Sequence, residues 1–375
     1  MKKKILDSIW CFGFVIALTY LGIHNFSDFR TVVKNILIDR LSADDAETSA
    51  EQHIVSSISY VNINSIGARV LNQKIDNSVI KDNTGDLYQI GWIVIDAYDK
   101  DEVSGAAEDV DDIFRLCYSL GIDCIYAQEP YKCALGNTVL PYGYTTDGTY
   151  KAEQYRLKHC HDEKEHYIDT RVELGGNLQW FITDHHWTIE TSMHAARLIE
   201  EKLGHDTSVY DKDFNKIIYK NSFLGSFGIR TGKYFAGMDD VIIPVPNFTT
   251  EFKYQHYIDH KLVLEKSGDF QNAFLDFDML DNPKYYNKYD AMLNGSYVET
   301  RIINKKVTSG KVLLIADSYG RSSCMYTALN YHETRYLDPQ EGRYNDNYLD
   351  YIKEYMPETV IIMAPEEINV GNGNY

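Results

Sequence analysis

The chain has 375 residues, 44% hydrophobic and 25% charged, the balance of a folded globular protein. A formal net charge of -18 argues against a nucleic-acid partner, because such a surface repels phosphates. The 30 tyrosines suit half-buried strand positions first and sugar-stacking platforms second. At the N-terminus, Lys2, Lys3 and Lys4 precede an uncharged run from Ser8 to Ile23. A basic flank on the cytoplasmic side leaves the bulk of the chain outside the cytoplasm. No small-x-small cleavage pattern follows, since the next residues are His24, Asn25, Phe26 and Ser27. The expectation is an uncleaved signal anchor over residues 1–26, a single transmembrane helix that holds the protein at the cell membrane.

Residues 27–86 are polar and weakly periodic, with a helix expected near 30–41, and read as a stalk and lead-in. From 87 onward strands and helices alternate. Strands are expected at 90–95, 122–127 and 166–169. Helices are expected at 106–120, 151–159 and 188–203, the last stopped by Gly204. Between about 205 and 293 the rhythm becomes β-rich, with strands at 241–245 and 261–264 and a glycine-rich turn at 225–232. This stretch reads as an insertion or cap. Alternation then resumes: strand 311–316, helix 321–331, strand 334–337, helix 348–355 and strand 359–363. Such order predicts an α/β fold with a mostly parallel sheet flanked by helices. Of six cysteines, Cys11 lies in the apolar N-terminal run, and Cys117, Cys124 and Cys324 fall in apolar segments as free core residues. Cys133 and Cys160 have polar neighbours, and whether they pair is open. No CxxC or Cys/His ligand spacing points to zinc.

Two segments carry chemistry. Ala316-Asp317-Ser318-Tyr319-Gly320 lies between an expected buried strand and a helix. In a parallel sheet that is where ligands gather, and the backbone N–H groups of the first helical turn, Gly320 among them, can stabilise an oxyanion. An ordinary Asp/Ser helix cap explains the composition equally well. The second segment is Thr183-Asp184-His185-His186-Trp187-Thr188. Extended residues at i and i+2 face one way, so Asp184 can orient His186 while His185 turns to a structural or substrate-facing position. A metal site is the rival for this string, but no Asp-x-Asp pair at a strand end supplies further ligands, so neither metal nor cofactor is expected. Gly225 and Arg230, in Gly225-Ser226-Phe227-Gly228-Ile229-Arg230, are candidates for an oxyanion donor or a positive charge, against a plain turn. Arg343 is a further candidate to line the cleft.

Taken together, Asp184-His185-His186-Trp187 and Ala316-Asp317-Ser318-Tyr319-Gly320 resemble the DHHW-motif family of bacterial membrane-anchored proteins. They are also similar to the SGNH-type domain of alginate O-acetyltransferases, and the resemblance covers roughly residues 90–363. It implies Ser318 as nucleophile, His186 as general base and Asp184 as its orienting partner. Because Asp-x-His precedes the serine, it further implies a circularly permuted SGNH-hydrolase-like sheet. A Gly-x-Asn-Asp oxyanion block, common in SGNH enzymes, is missing. The activity implied is O-acyl transfer, with acetyl as the acyl group, a surface polysaccharide as acceptor, and a membrane-bound O-acyltransferase as acyl supplier. A carbohydrate esterase with the same triad and a non-catalytic polysaccharide-binding or assembly protein are the alternatives.

Overall fold

The structure, a computed structural model, describes residues 58–90, 100–132, 140–141, 151, 154–155, 166–258, 260–283, 287–295, 297–339 and 348–364. The expected anchor over 1–26, the helix at 30–41, most of the strand at 90–95 and of the helix at 151–159, Cys11, Cys133, Cys160 and Arg343 lie outside the described residues. Among the described residues no helix is long and apolar enough to cross a membrane.

In chain order the elements are helix α1 (Ile58–Val70), strands β1 (Ile75–Asp76), β2 (Val79–Lys81) and β3 (Leu87–Gln89), helix α2 (Lys100–Leu120), and strands β4 (Asp123–Gln128) and β5 (Tyr167–Asp169). Helix α3 (Ile189–Leu203), strand β6 (Phe214–Phe223), helix α4 (Ser226–Thr231) and strands β7 (Asp239–Pro246), β8 (Phe252–Ile258), β9 (Lys261–Gly268), β10 (Glu299–Asn304) and β11 (Lys311–Ala316) follow. Helix α5 (Ser318–Thr327), strand β12 (Glu333–Leu337), helix α6 (Tyr348–Tyr355) and strand β13 (Thr359–Ala364) close the order, with short helices such as Lys233–Ala236, Phe270–Phe274 and Phe277–Asp281 between the main elements.

Eight strands form the main sheet in the order β5-β4-β13-β11-β12-β10-β8-β9. The first five are parallel, and β10, β8 and β9 continue the sheet antiparallel. Burial on both faces explains why the central strands read as unbroken apolar runs. Along β11, Val312 and Leu314 join a core with α3 and α5, whereas Leu313 and Ile315 join the opposite core with α2 and α6. The outer antiparallel strands alternate buried and half-exposed positions, so one of their faces is wetter.

Helix α3 runs as its pattern dictates. Thr188 caps its first turn by accepting from the Thr191 N–H, and Gly204 ends it in the left-handed region at φ 72°. Cys117, Cys124 and Cys324 are free and buried.

Three expectations need correction. The stretch 205–293 is not one insertion: β6 and β7 pair as a separate antiparallel ribbon, but β8 and β9 belong to the main sheet. Period-2 alternation is the same for a cap strand and a sheet-edge strand, so the sequence could not separate them. The glycine-rich turn at 225–232 contains helix α4, because glycine here provides close packing rather than a turn. The lead-in is not merely a stalk. Ala68, Val79 and Leu87 bury against Leu224, Phe227 and Phe235, and the boundary drawn at residue 87 cuts the β2–β3 pairing of Lys81 with Leu87.

Candidate active site

Ser318 is the first residue of α5 and follows the carboxyl end of β11 by two positions. Asp317 between them is the N-cap, its carboxylate accepting from the Tyr319 N–H at 2.9 Å. Gly320 lets the helix start against the strand it has just left. A Cβ there would lie 2.3 Å from the Ala316 Cβ. The Gly320 N–H donates to the Asp317 carbonyl at 3.1 Å, so this glycine provides room for the turn and its N–H is already engaged.

The base arrives from a stretch with no regular structure. His186 Nε2 lies 2.8 Å from Ser318 Oγ, and its Nδ1 lies 2.5 Å from Asp184 Oδ1. With Asp184 accepting from Nδ1–H, Nε2 is left as the acceptor of the serine proton. The imidazole is clamped on its face by the Tyr289 ring, stacked at 4.0 Å and 15°. The Tyr289 hydroxyl donates to the Ser318 carbonyl at 3.0 Å, so one tyrosine touches both nucleophile and base. Trp187 is fully buried and donates from its indole to the Tyr319 carbonyl, tying the two motifs together.

Asp184 is buried, and burial alone would raise its carboxyl. The neighbouring His185 and His186, together with the Ser226 N–H at 2.5 Å, outweigh that and hold it well below the usual carboxylate range. Gly225 makes this approach possible, since a Cβ there would sit 2.2 Å from the Asp184 Cβ. Its own N–H goes to Thr183 Oγ1. Asp239 accepts from the N–H groups of Ile182 and Thr183 and from the Thr183 hydroxyl, which sets the backbone just ahead of Asp184.

His185 Nδ1 is 2.9 Å from Ser226 Oγ, and the Tyr319 hydroxyl donates to its carbonyl. Burial first, then the neighbouring His186, pushes the His185 imidazole down to about 3, so it is neutral at physiological pH. Ser318, His185 and Ser226 are half-buried, while Asp184 and His186 are buried. The reacting hydroxyl is thus reachable, and the proton relay behind it is covered. Asp184, His185 and His186 could also present one ligand atom each to an ion, since these atoms lie within 4.8 Å of one another. In this arrangement both His186 nitrogens already face Asp184 and Ser318.

No family model matches the chain, and no curated protein matches it in sequence. Solved structures do. The chain is similar to Bacillus cereus PatB1 with a sulfonyl adduct at 15% identity and a TM-score of 0.61, covering 79% of this chain and 96% of that one. It is similar to a DHHW family protein from Eubacterium siraeum at 15% identity and a TM-score of 0.58, covering 78% and 95%. This chain and that DHHW family protein share a fold. The O-acetyltransferase domain of Pseudomonas putida AlgJ also aligns, at 15% identity and a TM-score of 0.42, covering 77% and 91%.

Of the residues singled out by sequence, Asp184, His185, His186, Ser318 and Gly320 meet in one place, with Gly225 against Asp184. The Arg230 guanidinium donates to Gln89 Oε1 at 2.5 Å and so fastens α4 to the lead-in, while its charge acts on Asp184 and His185. Tyr289, Ser226 and Asp239 were not foreseen. Ser226 lies between glycine and phenylalanine in the 225–230 segment, and only its N–H to Asp184 gives it a role. Tyr289 and Asp239 belong to no motif, and only their contacts mark them.

Proposed function

We propose that the protein is a serine-dependent O-acyltransferase that places an acyl group, acetyl on the resemblance above, on a polysaccharide hydroxyl. The observation that carries the proposal is the continuous relay Ser318 Oγ–His186 Nε2 and His186 Nδ1–Asp184 at a strand-to-helix turn. Likeness in fold to PatB1 supports it. In the first half-reaction Ser318 Oγ bonds to the acyl carbonyl carbon and its proton passes to His186 Nε2. Collapse of the tetrahedral species breaks the bond to the donor's leaving group, which takes the proton from His186. In the second half an acceptor hydroxyl attacks the acyl-serine, His186 takes its proton, and return of that proton to Ser318 closes the cycle. Of the N–H groups at the start of α5, those of Tyr319 and Gly320 are held by Asp317, so the Ser318 N–H is the assigned oxyanion donor. The order of the motifs supports a circularly permuted SGNH-like arrangement. In this proposal the N-terminal segment anchors the domain outside the cytoplasm, and a membrane-bound O-acyltransferase delivers the acyl group.

The test is an activated acetyl ester given to the purified chain with and without glycan oligomers. Acetyl recovered on Ser318 by mass spectrometry, then on the sugar, is the expected result. Fast acetate release indifferent to glycan identifies an esterase instead. No label on Ser318 from ester or sulfonyl fluoride, with glycan still bound, identifies a non-catalytic binder. Excess chelator should leave the rate unchanged, and inhibition reversed by added metal would turn the His-rich string into a metal site.

A further inference from the structure

A concave pocket of about 350 Å³ lies beyond the C-terminal end of α4. Arg69, Lys74, Lys81 and Lys233 line it, with Asn72, Gln73 and the aromatic rings of Tyr234 and Phe235, and no carboxylate is among its lining residues. In a chain of net charge -18 this grouping is unusual. Elsewhere cations sit against acids, as in Arg197 with Glu201 and Asp211, Lys216 with Glu190, or Lys305 and Lys306 with Glu251. The acid next in sequence, Asp82, is committed to its own turn, accepting from the N–H groups of Thr84, Gly85 and Asp86. Asp86 faces Lys132 instead.

The pocket is also firmly built. The Lys81 ammonium donates to the Phe235 carbonyl at 2.7 Å and lies over the Phe235 ring. The Lys233 N–H donates to Asn62 Oδ1, and α1 approaches Gly232 so closely that a Cβ there would meet Ser65 and the Val61 carbonyl at 2.7 Å. Lys74 and Arg69 both repel the Lys81 ammonium here, and a bound anion would relieve that repulsion.

We propose that this pocket binds the anionic groups, phosphate or carboxylate, of a glycan strand. The charges select the anion, while Asn72 and Gln73 offer amides to sugar hydroxyls and the exposed Tyr234 ring offers a sugar-stacking face. A concave site of this size fits a chain segment better than the flat surface of a bilayer. That the anion is carried by a glycan rests on the polysaccharide reading above, whereas the charge of the ligand does not.

The experiment is calorimetric titration of the full chain with inorganic pyrophosphate, a glycerol-phosphate oligomer, an oligogalacturonate and a neutral dextran oligomer. At least one charged oligomer should bind, more weakly as salt rises, and dextran should not. Lys74→Glu with Lys233→Glu should weaken binding at least about tenfold. The milder Lys74→Ala should weaken it in the same direction, which covers a double variant that fails to fold. Ser318→Ala should bind as the parent does, so loss of acyl transfer and loss of anion binding are separate results. Equal binding of dextran, unchanged affinity in both lysine variants, or binding of pyrophosphate without either charged oligomer would overturn the assignment.

Discussion

Ser318 stands between a buried strand and the helix that begins on it, and the N-cap of that helix is the adjacent Asp317. His186 stands in an irregular stretch whose shape depends on Ser226, 42 positions from Asp184, and on Asp239, 56 positions from Thr183. Tyr289 then locks the ring from yet another part of the chain. The nucleophile is positioned by a strand end and a helix start, with Tyr289 on its carbonyl, and the base by tertiary contacts alone. A base held this way can be displaced by substitutions far from the chemistry, and the nucleophile should be less exposed to them.

The largest effect expected is on turnover. Ser318→Ala and His186→Ala should each lower acyl transfer by at least about a thousandfold with melting temperature little changed, and the double variant should be no worse than the singles. Strong additivity in that double variant would mean the two residues do not act as one unit.

Next comes the asymmetry itself, read by denaturant unfolding. Asp239→Ala removes the acceptor of three hydrogen bonds and should cost about 3 kcal/mol, with activity falling alongside. Asp317→Ala removes one cap and should cost about 1 kcal/mol. Equal costs for the two would dissolve the distinction between a locally set nucleophile and a remotely set base.

Tyr289→Phe keeps the ring on His186 and loses the hydroxyl bonds to the Ser318 carbonyl and Ser322. A cost of about 1 kcal/mol and a fall in rate of less than about tenfold are expected. Tyr289→Ala, which unclamps the imidazole, should lower the rate further, and equal rates for the two variants would show that stacking does not position the base.

A last effect, read against pH, concerns Glu129, buried one residue past β4 beside Asp317. Its carboxyl faces that of Asp317 in a buried setting, where two charges side by side are disfavoured. Burial, then Asp317 and Asp338, raises its carboxyl well above the ordinary value of 4.5. A raised carboxyl contributes stability that is full below its unfolded value and lost as pH rises through its folded value. Glu129→Gln cannot titrate, so its melting temperature should gain on the parent as pH rises from about 4.5. A difference that stays flat with pH would mean that Glu129 titrates alike in folded and unfolded chains.

Much of the site was legible because its signals are short-range. The apolar run 312–316 followed by Asp317-Ser318 announces a strand end and a helix cap, and the i, i+2 spacing of Asp184 and His186 puts them on one side. The terminal strand–helix–strand was readable from periodicity alone, and α6 falls on residues 348–355 as expected. Such features depend on neighbours within a few positions, and the amino-acid sequence determines them by itself. Only the tertiary structure decided which edge β8 and β9 would join, that the lead-in would pack on α4, and that Ser226, Asp239 and Tyr289 would hold the base. The physical reason is that alternating strands, a glycine beside a serine, or a lone tyrosine carry no mark of their partner. The partner is chosen when distant segments pack, and Asp184 finds the Ser226 N–H only because Gly225 has no side chain to keep them apart.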